Sequence, residues 1–351
     1  MKRYKKLVLN GNEGITFEVS EGTGGELIIN AIPKADYGSI SDVYSALPAV
    51  SAGEYAEVLS VYTDKDGNKA VVPPGWTVSK VSSENTIWGK NLGLVIYHIP
   101  EKRVRNIDWT RPNEVQTLQR KYDQFVCTPV SLLSPNGTMD GISFKEKFGR
   151  RNYKNEKFSE FHEELSGDLV LEKQSIDKYG VFYSSRYDIS RDRITGMPRS
   201  ICGSYPWTNI DPASAIEVAS TMISTSILTS HLMYGAEYDT RFEWIINTRT
   251  MTPYAIAEDS TEWGNYRNTS NSQGRLAKTG SSEKWCINTI YDLTGNVTEL
   301  TQEQFGSSHY QVIRGGAYNL IGSGYPATYR FSQYSSDDYA HTGFRTTICI
   351  K

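Results

Sequence analysis

Cysteine is scarce in this sequence, and patterns that bind metal through histidine are missing. The four cysteines lie 60 or more residues apart, so no CxxC pair or Cys/His cluster exists, which argues against a zinc site. The five histidines show no His-x-x-x-His pattern, and we expect structural or surface roles for them. The spacing requires no disulfide, and we expect separate buried thiols at Cys127, Cys202, Cys286 and Cys349.

The sequence also lacks an excess of one charge and long apolar runs. Lys and Arg number 37 against 40 Asp and Glu, so nothing indicates a nucleic-acid partner. No run of about 18 apolar residues is present, which argues against membrane insertion. The basic start, MKRYKK, is not followed by an apolar core of signal-peptide length. We therefore expect no signal peptide, and export would need lysis, a non-Sec route or a particle.

Tyrosine, by contrast, is abundant, with 23 residues. Tyrosine offers a rigid apolar ring and a polar tip at small entropic cost, which suits binding surfaces. It is also enriched in β-rich folds. Composition alone leaves both explanations open.

Residues 1–110 carry strand signals. Apolar and polar residues alternate along 1–50, which is the two-residue period of a strand. Asp66-Gly67 stands between β-forming residues and predicts a hairpin turn. We therefore predict two small all-β modules, 1–50 and 51–110, that precede the main domain.

Residues 111–351 mix helix and strand signals. Helical spacing is present across 111–122, 211–228 and 234–249. Residues 134–180 are polar and predict a long excursion with one short helix near Lys157–Leu165. Strands and helices together predict an α+β fold.

Six motifs occur in order along the second half of the chain. They are GVFYSSRYDIS at 180–190, PWTNIDPASAIEVA at 206–219, SHLMYGAEYDTRFEWI at 230–245, IYDLTGNVTELTQE at 290–303, VIRGGAYN at 312–319 and GFR at 343–345. Together they resemble the formylglycine-generating, sulfatase-modifying family, a branch of the C-type lectin fold. The resemblance covers about 115–351 and implies a C-type lectin domain of the formylglycine-generating-enzyme type over 111–351.

The resemblance bears on enzyme activity. The family's oxidase binds copper through two cysteines ahead of the GFR motif, and alignment places those positions near Gly322 and Ala327. Neither residue carries sulfur, and a thiolate is both the metal ligand and the redox centre. The resemblance thus implies a member that is not an enzyme and has no catalytic cofactor. An oxidase-type enzyme with a relocated site is the alternative.

The resemblance also implies a role for the IYDLTGNVTE turn. In the family such a turn can hold Ca²⁺ through side-chain and backbone oxygens. Here Asp292 and Glu299 would supply carboxylates, and Gly295 and Val297 would supply carbonyls. A tight turn without an ion is the alternative.

The stretch between the RGG and GFR motifs, 317–341, differs in composition from the rest of the chain. Lys, Glu, Gln, Met and Trp make up 64 of the 351 residues, but this stretch holds only one of them, Gln333. Adenine-directed mutation of Asn codons that end in a pyrimidine cannot yield these five types. The chain also resembles prophage-encoded variable proteins of diversity-generating retroelements, which implies a variable segment over 317–341. A plain Gly/Ser-rich loop is the alternative.

The variable segment has the composition of a binding surface, because aromatic residues alternate with small polar ones. The flanking Arg314 and Arg345 are expected to be paired internal scaffold residues. The expected ligand-binding residues are Ala317, Asn319, Leu320, Ile321, Tyr325, Tyr329, Phe331, Ser332, Tyr334, Asp337, Asp338, Tyr339 and His341.

These patterns predict a receptor-binding protein without enzyme activity. The expected setting is a phage tail or tail fibre in the virion, with a protein or glycan of the host-cell surface as the partner. The N-terminal modules would attach the chain to other tail proteins. A bacterial surface adhesin, located outside the cell, is the alternative. The resemblance implies a homotrimer, which would multiply weak contacts, although the sequence shows no coiled coil.

Overall fold

The structure is a computed structural model that describes residues 15–21, 27–33, 40–84, 93–130, 150–151, 161–163, 167–269 and 274–351. Of the predicted module 1–50, the structure describes residues 15–21, 27–33 and 40–50, and the remaining residues lie outside the described ranges. Within the described ranges, no helix combines the length and the apolar character needed to cross a bilayer.

The strands, numbered along the chain, are β1 (Ile15–Glu21), β2 (Leu27–Pro33), β3 (Ser60–Thr63), β4 (Lys69–Val72), β5 (Trp76–Val78), β6 (Val95–His98), β7 (Gln124–Pro129), β8 (Arg150–Arg151), β9 (Phe161–Glu163), β10 (Val181–Ser185), β11 (Ser190–Arg191), β12 (Pro198–Arg199), β13 (Leu228–Leu232), β14 (Cys286–Ile287), β15 (Ile290–Tyr291), β16 (Thr298–Phe305), β17 (Ser307–Arg314), β18 (Tyr329–Tyr334), β19 (Thr342–Phe344) and β20 (Thr346–Ile350). The helices are α1 (Ile40–Ala46), α2 (Lys80–Ser83), α3 (Glu101–Val104), α4 (Pro112–Lys121), α5 (Gly167–Tyr179), α6 (Pro212–Thr221), α7 (Gly235–Asn247) and α8 (Pro253–Ala257), with short 3-10 turns at Thr261–Trp263 and Glu283–Trp285.

A six-stranded antiparallel sheet lies at the centre, in the order β13–β20–β10–β7–β6–β5. Side chains of its strands enter two apolar clusters. One cluster includes residues of α4 and α7, and the other includes the β3–β4 hairpin and α1. Because both faces are covered, β7 and β20 are buried along their whole length. β20 pairs with β13 on one side and with β10 on the other, so it lies inside the sheet and not at its edge.

A second sheet has the order β19–β16–β17–β18–β8, and β9 also pairs with β16. The antiparallel pairing of β17 with β18 places Arg314 opposite Arg330 and Tyr310 opposite Tyr334. Residues 315–328 connect these two strands, and β19 pairs in parallel with β16. This sheet fixes both ends of the segment predicted to bind ligand.

Local hydrogen bonds define the N-termini of α6 and α7. Asp211 is the N-cap of α6 and accepts a hydrogen bond from the Ser214 amide at 2.9 Å. The Glu237 carboxylate accepts one from the Tyr234 amide at 2.7 Å at the start of α7. α7 is buried along most of its length, charged residues included, and it contacts β7 of the central sheet and β16 of the second sheet.

The α+β class predicted from the sequence is confirmed, and the predicted hairpin at Asp66-Gly67 joins β3 and β4. The predicted boundary near residue 110 requires a correction, because β5 and β6 continue the sheet that contains β7, β10 and β20. Within 51–110, β3 and β4 form a separate two-stranded sheet, whereas β5 and β6 share a sheet with strands of 111–351. Two helices also differ from the prediction: α6 ends at Thr221, and α5 lies within the supposed excursion.

Candidate functional site

The base of the variable segment is a buried network of two arginines and two carboxylates. Arg314 donates to Asp239 at 2.7 Å and lies 3.5 Å from a Glu303 oxygen. Arg330, its cross-strand neighbour, donates from Nε to both Glu303 oxygens at 3.2 Å and also contacts Asp239. All four side chains are fully buried. Loss of one partner would leave a charge buried and unpaired, which is costly. Because Arg314 and Arg330 share the same two carboxylates, a shift of β17 against β18 would break these pairs, and the network therefore favours the observed register.

A second buried network surrounds the arginine of the GFR motif. Arg345 Nε donates to Glu299 at 2.7 Å, and its Nη2 lies 2.8 Å from Asp188. Arg241 lies 3.4 Å from the other Glu299 oxygen. The prediction that Arg314 and Arg345 are paired internal residues is confirmed.

The second network does not fit the calcium site predicted from the resemblance. Both oxygens of Glu299 face guanidinium groups, those of Arg345 and Arg241. A divalent cation beside Glu299 would therefore meet two buried positive charges at short range. Glu299 acts here as an arginine partner and not as a calcium ligand.

The other three residues of that prediction form a tight buried turn. Asp292 accepts a hydrogen bond from the Gly280 amide at 2.9 Å, and burial raises the pKa of its carboxyl to about 6. Gly295 has a φ of +68°, and Val297 is buried. The geometry favours the tight turn that the sequence left as the alternative.

The RGG motif turns the chain sharply at the end of β17. Gly315 has a φ of +67°, a region that glycine adopts without steric cost. A Cβ on Gly316 would lie 2.4 Å from the Tyr266 ring and 2.5 Å from the Tyr325 carbonyl. Glycine at these positions lets the segment leave the strand in close contact with the domain.

Exposure divides the predicted ligand-binding residues into three groups. Asn319, Ile321, Tyr334, Asp338 and Tyr339 are exposed, whereas Leu320, Tyr325, Phe331, Ser332, Asp337 and His341 are half-buried. Ala317 and Tyr329 are buried and do not line the surface, which corrects the prediction for these two. Ala317 directly follows the Gly-Gly turn, and the Tyr329 ring packs edge-on against Tyr325 at 4.9 Å between centroids.

Two aromatic pairs stand on the exposed face. Tyr310 and Tyr334 meet edge to face at 5.3 Å between centroids, and Tyr339 stacks on His341 at 5.4 Å. The Tyr339 hydroxyl donates to Asp337 at 2.9 Å, and this bond raises the pKa of the phenol. Partial burial lowers the pKa of His341. These ring contacts and the Tyr339 hydrogen bond fix the orientation of four rings that remain partly exposed to solvent.

Tyr310 was not among the ligand-binding residues predicted from the sequence, because it precedes the segment 317–341. Its place became visible only through the pairing of β17 with β18, which sets it opposite Tyr334. We call Tyr310, Tyr334, Tyr339 and His341 the aromatic tip.

Backbone hydrogen bonds tie the segment to the rest of the domain. Each joins an amide outside 317–341 to a carbonyl inside it: Arg267 to Leu320 at 2.8 Å, Ser260 to Gly322 at 3.3 Å, Asn209 to Tyr339 at 3.1 Å and Thr298 to His341 at 2.9 Å.

A cavity of about 850 Å³, lined by residues of 191–207 and by Lys278, was not predicted from the sequence. Its lining includes the Arg191 guanidinium, 4.8 Å from the Trp207 ring, and the Lys278 ammonium, 5.6 Å from the Tyr205 ring. Asn209, whose amide bonds to Tyr339, links this lining to the segment. No motif joins residues 191–207 to Lys278, so only the folded chain reveals the cavity.

Gly322 and Ala327, the two positions that the resemblance aligns with cysteines, lie in closely packed surroundings. A Cβ on Gly322 would come within 2.4 Å of the Thr261 amide nitrogen. Ala327 is fully buried, and its amide donates to the Ser260 hydroxyl at 3.0 Å. The four cysteines of the chain lie elsewhere and are unpaired, as expected.

Residues 203–350 match the sulfatase-modifying factor enzyme 1-like domain family. The match confirms the resemblance predicted from the motifs over this part of the chain. Comparison with curated proteins gives no match.

Solved structures similar to this chain include three at low identity. PvdO from Pseudomonas aeruginosa is 16% identical, with a TM-score of 0.36, and the alignment covers 49% of this chain and 81% of PvdO. CarF is also 16% identical, with a TM-score of 0.34 and coverage of 49% and 87%. Treponema denticola variable protein 1 is 14% identical, with a TM-score of 0.28 and coverage of 65% and 85%.

Proposed function

We propose that this chain is a non-enzymatic binding protein that uses the segment 317–341 to contact a receptor. The observation that carries the proposal is the contrast between the base of the segment and its outer face. The base is a fully buried Arg–Asp–Glu network, whereas the outer face presents the aromatic tip to solvent. A rigid support with exposed rings is the arrangement of a binding surface.

The energetics of the aromatic tip suit recognition. Tyr310, Tyr334 and Tyr339 are each about two-fifths exposed, at 40%, 41% and 38%. Their ring contacts already restrict their rotamers in the free protein, so little side-chain entropy is lost on binding. Burial of the remaining ring area by a partner would supply the free energy that a few central aromatic residues contribute to interfaces.

The absence of enzyme activity is supported by the packing at the two cysteine-equivalent positions. Thr261 occupies the space that a side chain at Gly322 would need, and Ala327 is enclosed. A thiol pair that binds copper could not be accommodated at these positions without movement of the backbone.

The proposed setting is a phage tail or tail fibre, in the virion, with diversification of the segment by a retroelement. Composition supports diversification, because only one residue of the segment, Gln333, belongs to the five types that the mechanism cannot yield. Gln333 is buried and donates to the Asp337 carbonyl at 2.6 Å, so it fits a fixed position. The receptor would be a protein or glycan on the host-cell surface. The N-terminal residues would attach the chain to other tail proteins, and a homotrimer would add avidity.

A bacterial surface adhesin would use the same face of the same domain. The two settings differ in gene neighbourhood and in whether the chain is recovered with purified virions. Detection of the chain in virions by immunoblotting supports the phage setting, whereas recovery with the bacterial envelope alone supports the adhesin.

The binding surface is tested with labelled protein on cells of the bacterium whose genome carries the gene. We expect the double variant Tyr334→Ala/Tyr339→Ala to weaken cell binding by at least about tenfold, or 1.4 kcal/mol. Tyr254→Ala is the matched control, because Tyr254 is 67% exposed on α8 and lies outside the segment. Equal binding by the wild type and the double variant, with both folded, would contradict the proposal.

A further inference from the structure

Three chemically distinct side chains meet in the interior, away from the variable segment. They are Glu172 on α5, His231 on β13 and Cys349 on β20. A carboxylate oxygen, an imidazole nitrogen and the sulfur of this trio all lie within 4.8 Å of one another. Each residue is at most 1% exposed. Neither the binding surface nor the Arg networks use these residues.

Glu172 differs from the other buried acids of this interior. Asp239, Glu303 and Glu299 each have arginine partners. Over the part of the chain that the structure describes, neither Glu172 oxygen makes a hydrogen bond of good geometry. Its neighbours are the Glu237 carboxyl and the Cys349 thiol, and burial together with Glu237 raises the pKa of the Glu172 carboxyl. Two buried carboxyl groups beside a thiol carry a large desolvation cost, and this concentration of acidic groups points to a bound cation.

The imidazole of His231 has the surroundings of a metal ligand. Its Nε2 lies 3.1 Å from Glu237, and Nδ1 has no hydrogen-bond partner among the described residues. Glu237 is itself held by the Tyr234 amide at 2.7 Å. Histidines that bind metal commonly use one ring nitrogen for the ion and the other for a carboxylate, which fixes the ring orientation.

We infer that Glu172, His231 and Cys349 form a zinc site that ties α5 to the central sheet. A thiolate, an imidazole and a carboxylate are the donors that Zn²⁺ accepts, whereas Ca²⁺ and Mg²⁺ prefer oxygen ligands alone. One Zn²⁺ balances the charges of the Glu172 carboxylate and the Cys349 thiolate, and Glu237 adds a further buried carboxyl beside the His231 ring. Zinc bonds of about 2.0 to 2.3 Å require the three donors to move slightly closer than they stand.

The role assigned to this site is structural. Its ligands come from one helix and two neighbouring strands, β13 and β20, which pair from Leu228↔Ile350 to Leu232↔Thr346. Because the trio is fully buried, no substrate reaches it. No zinc pattern is visible along the chain, because the three ligands lie far apart in sequence and meet only when β20 enters the sheet. This inference is independent of the proposed binding function.

The test begins with metal analysis of the full-length protein after exposure to ZnCl₂ and removal of loose metal by gel filtration. We expect one zinc per chain in the wild type and in Cys127→Ala. Cys127 is the matched control, because it is a buried thiol of the same sheet and lies outside the trio. We expect His231→Gln, Glu172→Gln and Cys349→Ala to lose the zinc. Retention of zinc by folded His231→Gln and Cys349→Ala would overturn the inference.

Cobalt spectroscopy of the wild type tests the inference even if the ligand variants fail to fold. Replacement of zinc by Co²⁺ in the wild type should give a thiolate-to-cobalt charge-transfer band in the near ultraviolet, and Cys127→Ala should keep that band. Zinc should raise the melting temperature of both proteins by several degrees, since an ion that binds only the folded state stabilises it. A folded wild type that shows no charge-transfer band and no zinc-dependent shift would overturn the inference.

Discussion

Asp239 accepts hydrogen bonds from Arg314 and Arg330, which stand opposite each other at the ends of β17 and β18. With Glu303, the four groups carry two positive and two negative charges in a fully buried space. Such a network adds little net stability compared with apolar residues, but removal of one member is costly. Its value at this position lies in the register that it imposes on the base of the variable segment.

Replacement of Asp239 by asparagine tests this role at the scale of one residue. The change preserves shape but leaves two buried arginines with a single carboxylate, so we expect the free energy of unfolding to fall by roughly 3 to 5 kcal/mol. Asp338→Asn, at an exposed position of the segment, should change it by no more than about 0.5 kcal/mol. Urea unfolding followed by tryptophan fluorescence measures both, and equal effects in the two variants would count against a structural role for the network.

At the scale of elements, β20 links the two sides of the central sheet. It is the last strand of the chain, yet it pairs with β13 on one side and with β10 on the other. Its five residues are buried, and they include Cys349 of the zinc trio. The central sheet is therefore complete only when the end of the chain has been added.

Deletion of residues 346–351 should abolish the native state. The deletion would expose the unpaired edges of β13 and β10 and remove Ile348 and Ile350 from the core, and exposed edges of this kind promote aggregation. Deletion of Lys351 alone is the control, because this residue is exposed and follows the strand. Near-ultraviolet circular dichroism and soluble yield report the result. Native spectra from the longer deletion would show that β20 is dispensable.

Local sequence signals predicted the elements that depend on neighbouring residues. Helical spacing indicated α4, α6 and α7, and Asp66-Gly67 indicated the β3–β4 turn. Features that depend on distant pairing were not predictable in this way. The join of β6 to β7 across the supposed boundary, and α5 within a polar stretch, depend on contacts between distant residues.

The candidate site was predictable in composition but not in detail. The bounds 317–341, set by the RGG and GFR motifs, stay a prediction, and Tyr334 and Tyr339 are exposed as expected. Ala317 and Tyr329 are buried by the turn and by ring packing, which no periodicity indicates. The calcium ligand Glu299 was assigned by resemblance, and its arginine partners lie far away in sequence.

At the scale of the whole molecule, the structure separates positions that can vary from positions that cannot. We expect a displayed library randomised at Asn319, Ile321, Ser323, Tyr334, Ser336, Asp338, Tyr339 and Ala340, all exposed, to remain largely resistant to protease. A library randomised at the buried residues Ala327, Thr328, Arg330 and Gln333 should be degraded, because these side chains fill the core or pair within it.

The natural locus offers a parallel test of the same separation. Deep sequencing from a mixed population should show substitutions concentrated at the exposed positions, with a near-repeat of the 312–345 coding region nearby. Equal protease resistance of the two libraries, or an invariant locus without a repeat, would contradict diversification of this surface.

The carbonyls of Leu320, Gly322, Tyr339 and His341 accept hydrogen bonds from amides elsewhere in the domain. An amide-to-carbonyl bond involves no side-chain atom, so it forms whatever residue type occupies the position. The course of the backbone in this stretch can therefore pass unchanged between descendants whose residues differ. We therefore expect substitutions at this surface to change its chemistry while the backbone keeps the same support.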